Sequence, residues 1–114
     1  MSSPDPAAIE IGVEDVKSLL DRDAEFTLLD VRTPEEHGIA SIAGATLLPM
    51  SDLAERIGEL EVDRARHLVV HCHHGGRSLQ VTLALRNAGF SNVQNMAGGI
   101  DAWSQEIDSS VPRY

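Results

Sequence analysis

Short apolar runs alternate with segments of helical spacing from Ile9 to Trp103, and that alternation is the signature of an α/β domain with a mostly parallel sheet. Residues 8–11 read as a short first strand, and 13–21 as a helix that gathers Val13, Val16, Leu19 and Leu20 on one face. Residues 27–31 are a compact β-type run. Behind it, Thr33, Pro34 and Glu36 supply an N-cap, a first-turn proline and a capping-box acid for a short helix. Residues 45–48 form a third strand candidate, after which Ser51 is placed to cap a helix over 52–59. In the fourth strand, 67–71, the consecutive Leu68, Val69 and Val70 predict burial on both faces, as at the centre of a parallel sheet. Residues 78–88 carry the helical rhythm Val81, Ala84, Leu85, Ala88, with Gly89 and Phe90 as a Schellman-type stop. A fifth strand over 92–95 and a last helix, entered through Gly98 and Gly99 and running through Trp103, complete the pattern.

At 114 residues the chain is long enough for one continuous core. The division expected is a tail over 1–8, one domain over 9–106, and a second tail over 107–114, where the content is polar and proline-bearing. Apolar residues make up 42% and charged residues 24%, an ordinary globular mix. Nine basic residues face eighteen acidic ones, a formal net charge of −9, and Lys17 is the sole lysine. That balance repels polyphosphate and anionic lipid, so neither nucleic acid nor a membrane surface is an expected partner. No apolar stretch approaches the roughly 20 residues of a membrane span. The first eight residues lack a basic or apolar region of the secretory kind. The single cysteine, Cys72, excludes an internal disulfide and suits a reducing compartment, which makes the cytoplasm the expected location.

The chemistry concentrates where the buried fourth strand ends. Cys72, His73, His74, Gly75, Gly76 and Arg77 lie between that strand and the next helix, the carboxyl edge at which open α/β sheets bind ligands. Two glycines let the loop curl so that several N–H groups point inward, and the helix N-terminus adds partial positive charge. The natural first anion for such a cradle is the Cys72 thiolate, which helix termini and nearby cations favour. Arg77 keeps its charge and offers a planar fork, either to order the loop or to hold an incoming oxyanion. An inert cysteine at the end of a core strand would need none of this environment. His71, Cys72, His73 and His74 are nearly consecutive and cannot all turn toward one tetrahedral zinc, so no metal is expected. His71 belongs to the strand and reads as a core residue.

Three segments together resemble the rhodanese family: the string HCHHGGRS over 71–78, the earlier Asp30, Val31, Arg32, and AGGIDAW over 97–103. The resemblance implies a three-layer α/β/α rhodanese-like fold with a five-stranded, mostly parallel central sheet. It also implies turnover through a persulfide on Cys72, without a cofactor. His73, His74, Gly75, Gly76 and Arg77 then map onto the loop that holds the sulfur, with Asp30, Arg32 and Ser78 in supporting positions; Asp30 and Arg32 equally suit a structural ion pair. The common Gly-His-Ile-Pro-Gly-Ala segment is replaced by Ala40, Ser41, Ile42, Ala43, Gly44, Ala45, which leaves Gly44 and Ala45 for close packing. Thiosulfate-specialised members often carry arginine directly after the cysteine, where this chain has His73, so thiosulfate is expected to be a poor donor. The closing segment with Val111, Pro112 and Arg113 resembles rhodanese domains attached to adenylating enzymes. The partners implied are a small sulfane-sulfur donor or a cysteine desulfurase on one side, and a thiol or a ubiquitin-like sulfur carrier on the other.

Two other functions compete. Cell-cycle dual-specificity phosphatases share the fold and pair cysteine with arginine, but they place one residue more between the two than the four found here, His73 to Gly76. A non-catalytic interaction module would leave Cys72 an ordinary thiol.

Overall fold

The structure, a computed structural model, describes residues 8–114. The expected N-terminal tail therefore lies outside the described residues except for Ala8, whose carbonyl accepts hydrogen bonds from Arg86 and Gln94 at 2.9 Å. Strands β1 (Glu10–Ile11), β2 (Phe26–Asp30), β3 (Thr46–Leu47), β4 (His67–His71) and β5 (Val93–Met96) form one sheet in the order β1-β5-β4-β2-β3. All of its pairings are parallel. The helices are α1 (Val13–Asp21), α2 (Pro34–Ile39), α3 (Leu53–Arg56), α4 (Gly76–Asn87) and α5 (Gly99–Glu106).

The central strand explains the layering. Successive side chains of β4 point to opposite faces, so Val69 joins Val16, Leu28, Ile100 and Trp103 under α1 and α5. Leu68 and Val70 join Val81, Leu85 and Phe90 under α4. Two apolar layers thus sandwich the sheet, and Leu68, Val69 and Val70 are all buried, as their consecutive apolar character predicts. The stop of α4 is the expected Schellman geometry: the Phe90 N–H reaches the Leu85 carbonyl at 3.1 Å across Gly89, whose φ is +97°. The capping box of α2 is present as well, with the Glu36 N–H on Thr33 Oγ1 at 3.2 Å and the Thr33 N–H on Glu36 Oε1 at 3.3 Å.

Three expectations need correction. The helix expected over 52–59 is instead a 3₁₀ turn at Met50–Asp52, the four-residue α3, and further 3₁₀ turns at Ile57–Glu59 and Glu61–Asp63. No side chain caps it at its start, and Gly58 lies inside the expected helix at a cost of about 1 kcal/mol relative to alanine. Leu53, Ile57 and Leu60 still pack against the core, so tertiary burial decides the path. Close packing is not what Gly44 supplies: a Cβ there would sit 3.6 Å from Leu20, an ordinary contact, and φ is +92°. Finally, residues 107–114 do not behave as a tail. Val111 is buried in the α1 and α5 layer, the Ser104 hydroxyl donates to the Val111 carbonyl, and Arg113 donates to Asp101 at 2.9 Å. One apolar residue with a seat in the core outweighs the polar content around it.

Candidate active site

The end of β4 is held from behind by the start of α5. The Ile100 N–H donates to the Cys72 carbonyl at 2.9 Å and the Asp101 N–H to the His73 carbonyl at 3.1 Å. Such closeness is possible only at a residue without a side chain: a Cβ on Gly99, where φ is +62°, would lie 2.5 Å from the His73 oxygen and 2.6 Å from the Cys72 oxygen. On the other side α4 begins at Gly76, so the loop from Cys72 to Gly75 is pinned between two helix starts.

Inside this loop the Cys72 sulfur meets a set of donors. The Gly75 N–H lies at 3.1 Å, the Ser78 N–H at 3.4 Å and the Ser78 hydroxyl at 3.3 Å from Sγ. Burial pushes the thiol up, since Cys72 is only 1% exposed, but the Ser78 hydroxyl and the amides of Ser78, Gly75 and Arg77 outweigh it and hold the thiol below its ordinary value. The inward-facing cradle expected from the glycines is therefore present. The Ser78 hydroxyl has one proton and three acceptors in reach: Sγ, the Gly75 carbonyl at 3.3 Å and Asn95 Oδ1 at 2.5 Å. Asn95 is itself oriented by donating from Nδ2 to Glu10 at 2.9 Å and to the Gly75 carbonyl at 3.3 Å.

Arg77 turns toward α2 rather than standing free. Its guanidinium forks onto Glu36 at 2.5 and 2.9 Å. The Arg77 hydrogen bonds hold the Glu36 carboxyl far below the usual range, and the same pair holds Arg77 firmly charged. The Tyr114 hydroxyl donates to the same carboxylate at 2.6 Å and accepts from Arg32 at 2.8 Å. Arg32 and Asp30 form a fully buried pair at 2.7 Å, with Arg32 also donating to the Ala40 carbonyl at 2.6 Å and His37 meeting Asp30 at 2.8 Å. Burial alone would raise the Asp30 carboxyl and lower Arg32, but their mutual hydrogen bonds win in both cases and keep the two groups ionised. Among the two roles open to Asp30 and Arg32, the geometry is that of a structural ion pair.

The histidines separate. His71 is fully buried beside Asp30 and Arg32, and among the described residues its Nε2 has no hydrogen-bond partner. The His73 ring is stacked between His74 and Tyr114, each centroid 3.9 Å away. Ligand atoms of His73, His74 and Asp101 lie within 4.8 Å of one another. Asp101 is already engaged by Arg113 and Gln105. Of the residues singled out from sequence, Cys72, Gly75 and Ser78 come together at the sulfur, Arg77 borders it while bound to Glu36, and His74 is exposed. Glu36, Asn95 and Tyr114 were missed as site residues. Glu36 was legible only as a cap, and Asn95 as a strand position; for Tyr114, lying beyond the last periodic segment, no local signal exists.

Known proteins resemble this chain in sequence and in fold. Residues 12–106 match the rhodanese-like domain family. The chain is 34% identical over 114 residues to the adenylyltransferase and sulfurtransferase MOCS3-2 of Zea mays, covering 96% of this chain and 24% of that protein. It is 35% identical over 96 residues to a sulfurtransferase of Allochromatium vinosum, covering 84% of this chain and 88% of that one. The first of these relatives is about four times as long as the matched region. A crystal structure of a rhodanese-related protein from Thermoplasma volcanium superposes with a TM-score of 0.77 at 32% identity, covering 88% and 94% of the two chains.

Proposed function

The chain belongs to the rhodanese-like domain family, and from that premise we propose that Cys72 is a nucleophile which takes up sulfane sulfur and passes it on. The observation that carries this reading is the donor set around Sγ: two amides and the Ser78 hydroxyl within 3.4 Å, on a loop whose own carbonyls are tied down by α5. Such a cradle favours a thiolate, and it can hold the negative charge that stays on sulfur after transfer.

The first step is attack of the Cys72 thiolate on the outer sulfur of a donor X–S–SH. The bond between the donor's two sulfurs breaks, X–S⁻ leaves with its electron pair, and Cys72 becomes a persulfide; sulfur changes place without any outside oxidant. In the second step an acceptor thiolate attacks the outer sulfur, the bond to Cys72 Sγ breaks and the Cys72 thiolate is restored. With an activated acyl group on a ubiquitin-like carrier the persulfide instead attacks the acyl carbon and displaces its leaving group, and an external thiol then reduces the acyl disulfide to a thiocarboxylate and the Cys72 thiolate. No second cysteine can resolve the persulfide within the chain, so the acceptor enters from outside. Gly75 and Ser78 hold the sulfur, Gly76, His73 and His74 shape the rim, and Arg77 orders the loop. The likeness to adenylyltransferase and sulfurtransferase proteins supports a relay, with a thiol-bearing donor such as a cysteine desulfurase, in the cytoplasm.

The test is intact-mass measurement after incubation with a sulfane donor. Wild type gains the mass of one sulfur, reducing agent removes it, and Cys72→Ala gains none. Phosphate-ester turnover without a sulfur adduct would instead establish the phosphatase reading, and neither adduct nor turnover would leave an interaction module.

A further inference from the structure

Among the described residues, the three arginines that tie the loop to its surroundings are all spoken for: Arg32 by Asp30, Arg77 by Glu36 and Arg113 by Asp101. The pairing of Arg77 is the telling one. A guanidinium beside a nucleophilic sulfur is the group best suited to receive an anionic donor, yet here both prongs of its fork are consumed at 2.5 and 2.9 Å by Glu36. Tyr114 fastens the arrangement from the opposite side with its hydroxyl on the same carboxylate at 2.6 Å, while its ring covers the His73 ring at 3.9 Å. Glu36 is 18% and Arg77 36% exposed, so the pair stands at the rim where a donor enters rather than in the core.

We infer that the Glu36–Tyr114 clamp on Arg77 is a charge filter, which turns the site away from dianionic sulfane donors and toward donors with one negative charge or none on the reacting group. The inference rests on the sulfurtransferase reading and gives it a substrate class. With thiosulfate, the Cys72 thiolate meets a dianion: the S–S bond of thiosulfate breaks, sulfite leaves as a dianion, and Cys72–S–S⁻ remains. The encounter gathers an anion and a dianion at a rim whose arginine is already neutralised. An alkyl thiosulfonate delivers the same outer sulfur with one charge fewer, releasing a sulfinate monoanion. A protonated thiol persulfide brings none. Glu36 is then a positioning residue that acts through Arg77, and it does not touch the sulfur.

Loading of Cys72 is timed with two donors in parallel, thiosulfate and methanethiosulfonate, in wild type, Glu36→Gln, Glu36→Asp and Tyr114→Phe. Glutamine keeps the length and the capping acceptor and removes only the charge. The ratio of thiosulfate to thiosulfonate kcat/KM is expected to rise roughly tenfold in Glu36→Gln, the scale on which a cleft charge alters anion capture. It should stay near the wild-type value in Glu36→Asp and rise by a smaller factor in Tyr114→Phe, which leaves the α2 cap untouched. Added salt should raise the ratio in wild type, by screening repulsion, and lower it in Glu36→Gln, by screening attraction. A ratio that stays put in both Glu36→Gln and Tyr114→Phe while both donors still load the wild type overturns the filter and leaves the sulfurtransferase reading intact. Failure of both donors to load the wild type overturns that reading itself.

Discussion

At the scale of single residues, Cys72 and His71 show how neighbours decide the charge of a buried group. Burial by itself would keep Cys72 protonated, and the Ser78 hydroxyl is first among the groups that reverse this. Ser78→Ala should therefore move the thiol titration upward and slow iodoacetamide labelling at neutral pH by about tenfold, the value of one hydrogen bond to a charged group; labelling rates across pH 5–10 measure it, and coincident profiles would remove Ser78 from the activation. His71 runs the other way. Burial drives its imidazole down to about 4; Asp30 pulls it up, while Arg32 and His37 push it further down. A free imidazole titrates near 6.5, so between that value and about 4 the unfolded chain binds the extra proton and the folded chain does not. Stability must fall as pH drops through this window, by about 3 kcal/mol in all. Urea midpoints at pH 7 and pH 5 test it, and His71→Gln should flatten the slope. Asp30, held low, adds stability that is present above about pH 3.9 and is lost only on further acidification.

At the scale of elements, the Cys72 loop owes its shape to contacts that span the sequence. Gly99→Ala places a methyl group within 2.6 Å of the Cys72 and His73 carbonyls and adds left-handed strain at φ +62°; the expected cost is about 2 kcal/mol with loss of sulfur loading. Gly58→Ala, outside the Cys72 loop, meets nothing within 4 Å and should load normally, so thermal melts and loading rates of the two variants side by side separate loop geometry from general glycine loss. Local signals made much of this level legible. The α1 span, the Thr33–Glu36 box and the Gly89 stop all depend on residues within a few positions of one another, and all stand where their sequence places them. The α3 region failed because a helix of that length needs a cap and an unbroken run, and Gly58 denies it one. Gly98 and Gly99 announced a helix start, but that this start would buttress Cys72 follows from β4 and β5 lying side by side, which no local pattern encodes.

At the scale of the whole molecule, the last residues close what the sheet opens. Val111 enters the layer beneath α1 and α5 and is 8% exposed; Tyr114, three positions later, reaches Arg32 and Glu36, more than seventy residues away in sequence. Composition hides this role, because six of the seven residues after Ile107 are polar, proline or aromatic and only Val111 is an aliphatic anchor. The segment is thus a strap that joins the core to the rim of the site. Truncation after Asp108 should remove the burial of Val111, worth about 1.5–3 kcal/mol, and leave the Ser104 hydroxyl without its acceptor. At this chain length that loss corresponds to a fall in Tm of roughly 5–15 °C. Val111→Ala should reproduce most of the fall with Tyr114 still in place, while Tyr114→Phe should leave Tm within about 2 °C, since of the two hydrogen bonds it removes one is exposed and the other part-buried, and Arg32 keeps its bonds to Asp30 and Ala40. A melt in which Tyr114→Phe costs as much as truncation would show that the strap is held from its tip, and that the rim of the site, rather than the core, carries the stability of this end of the chain.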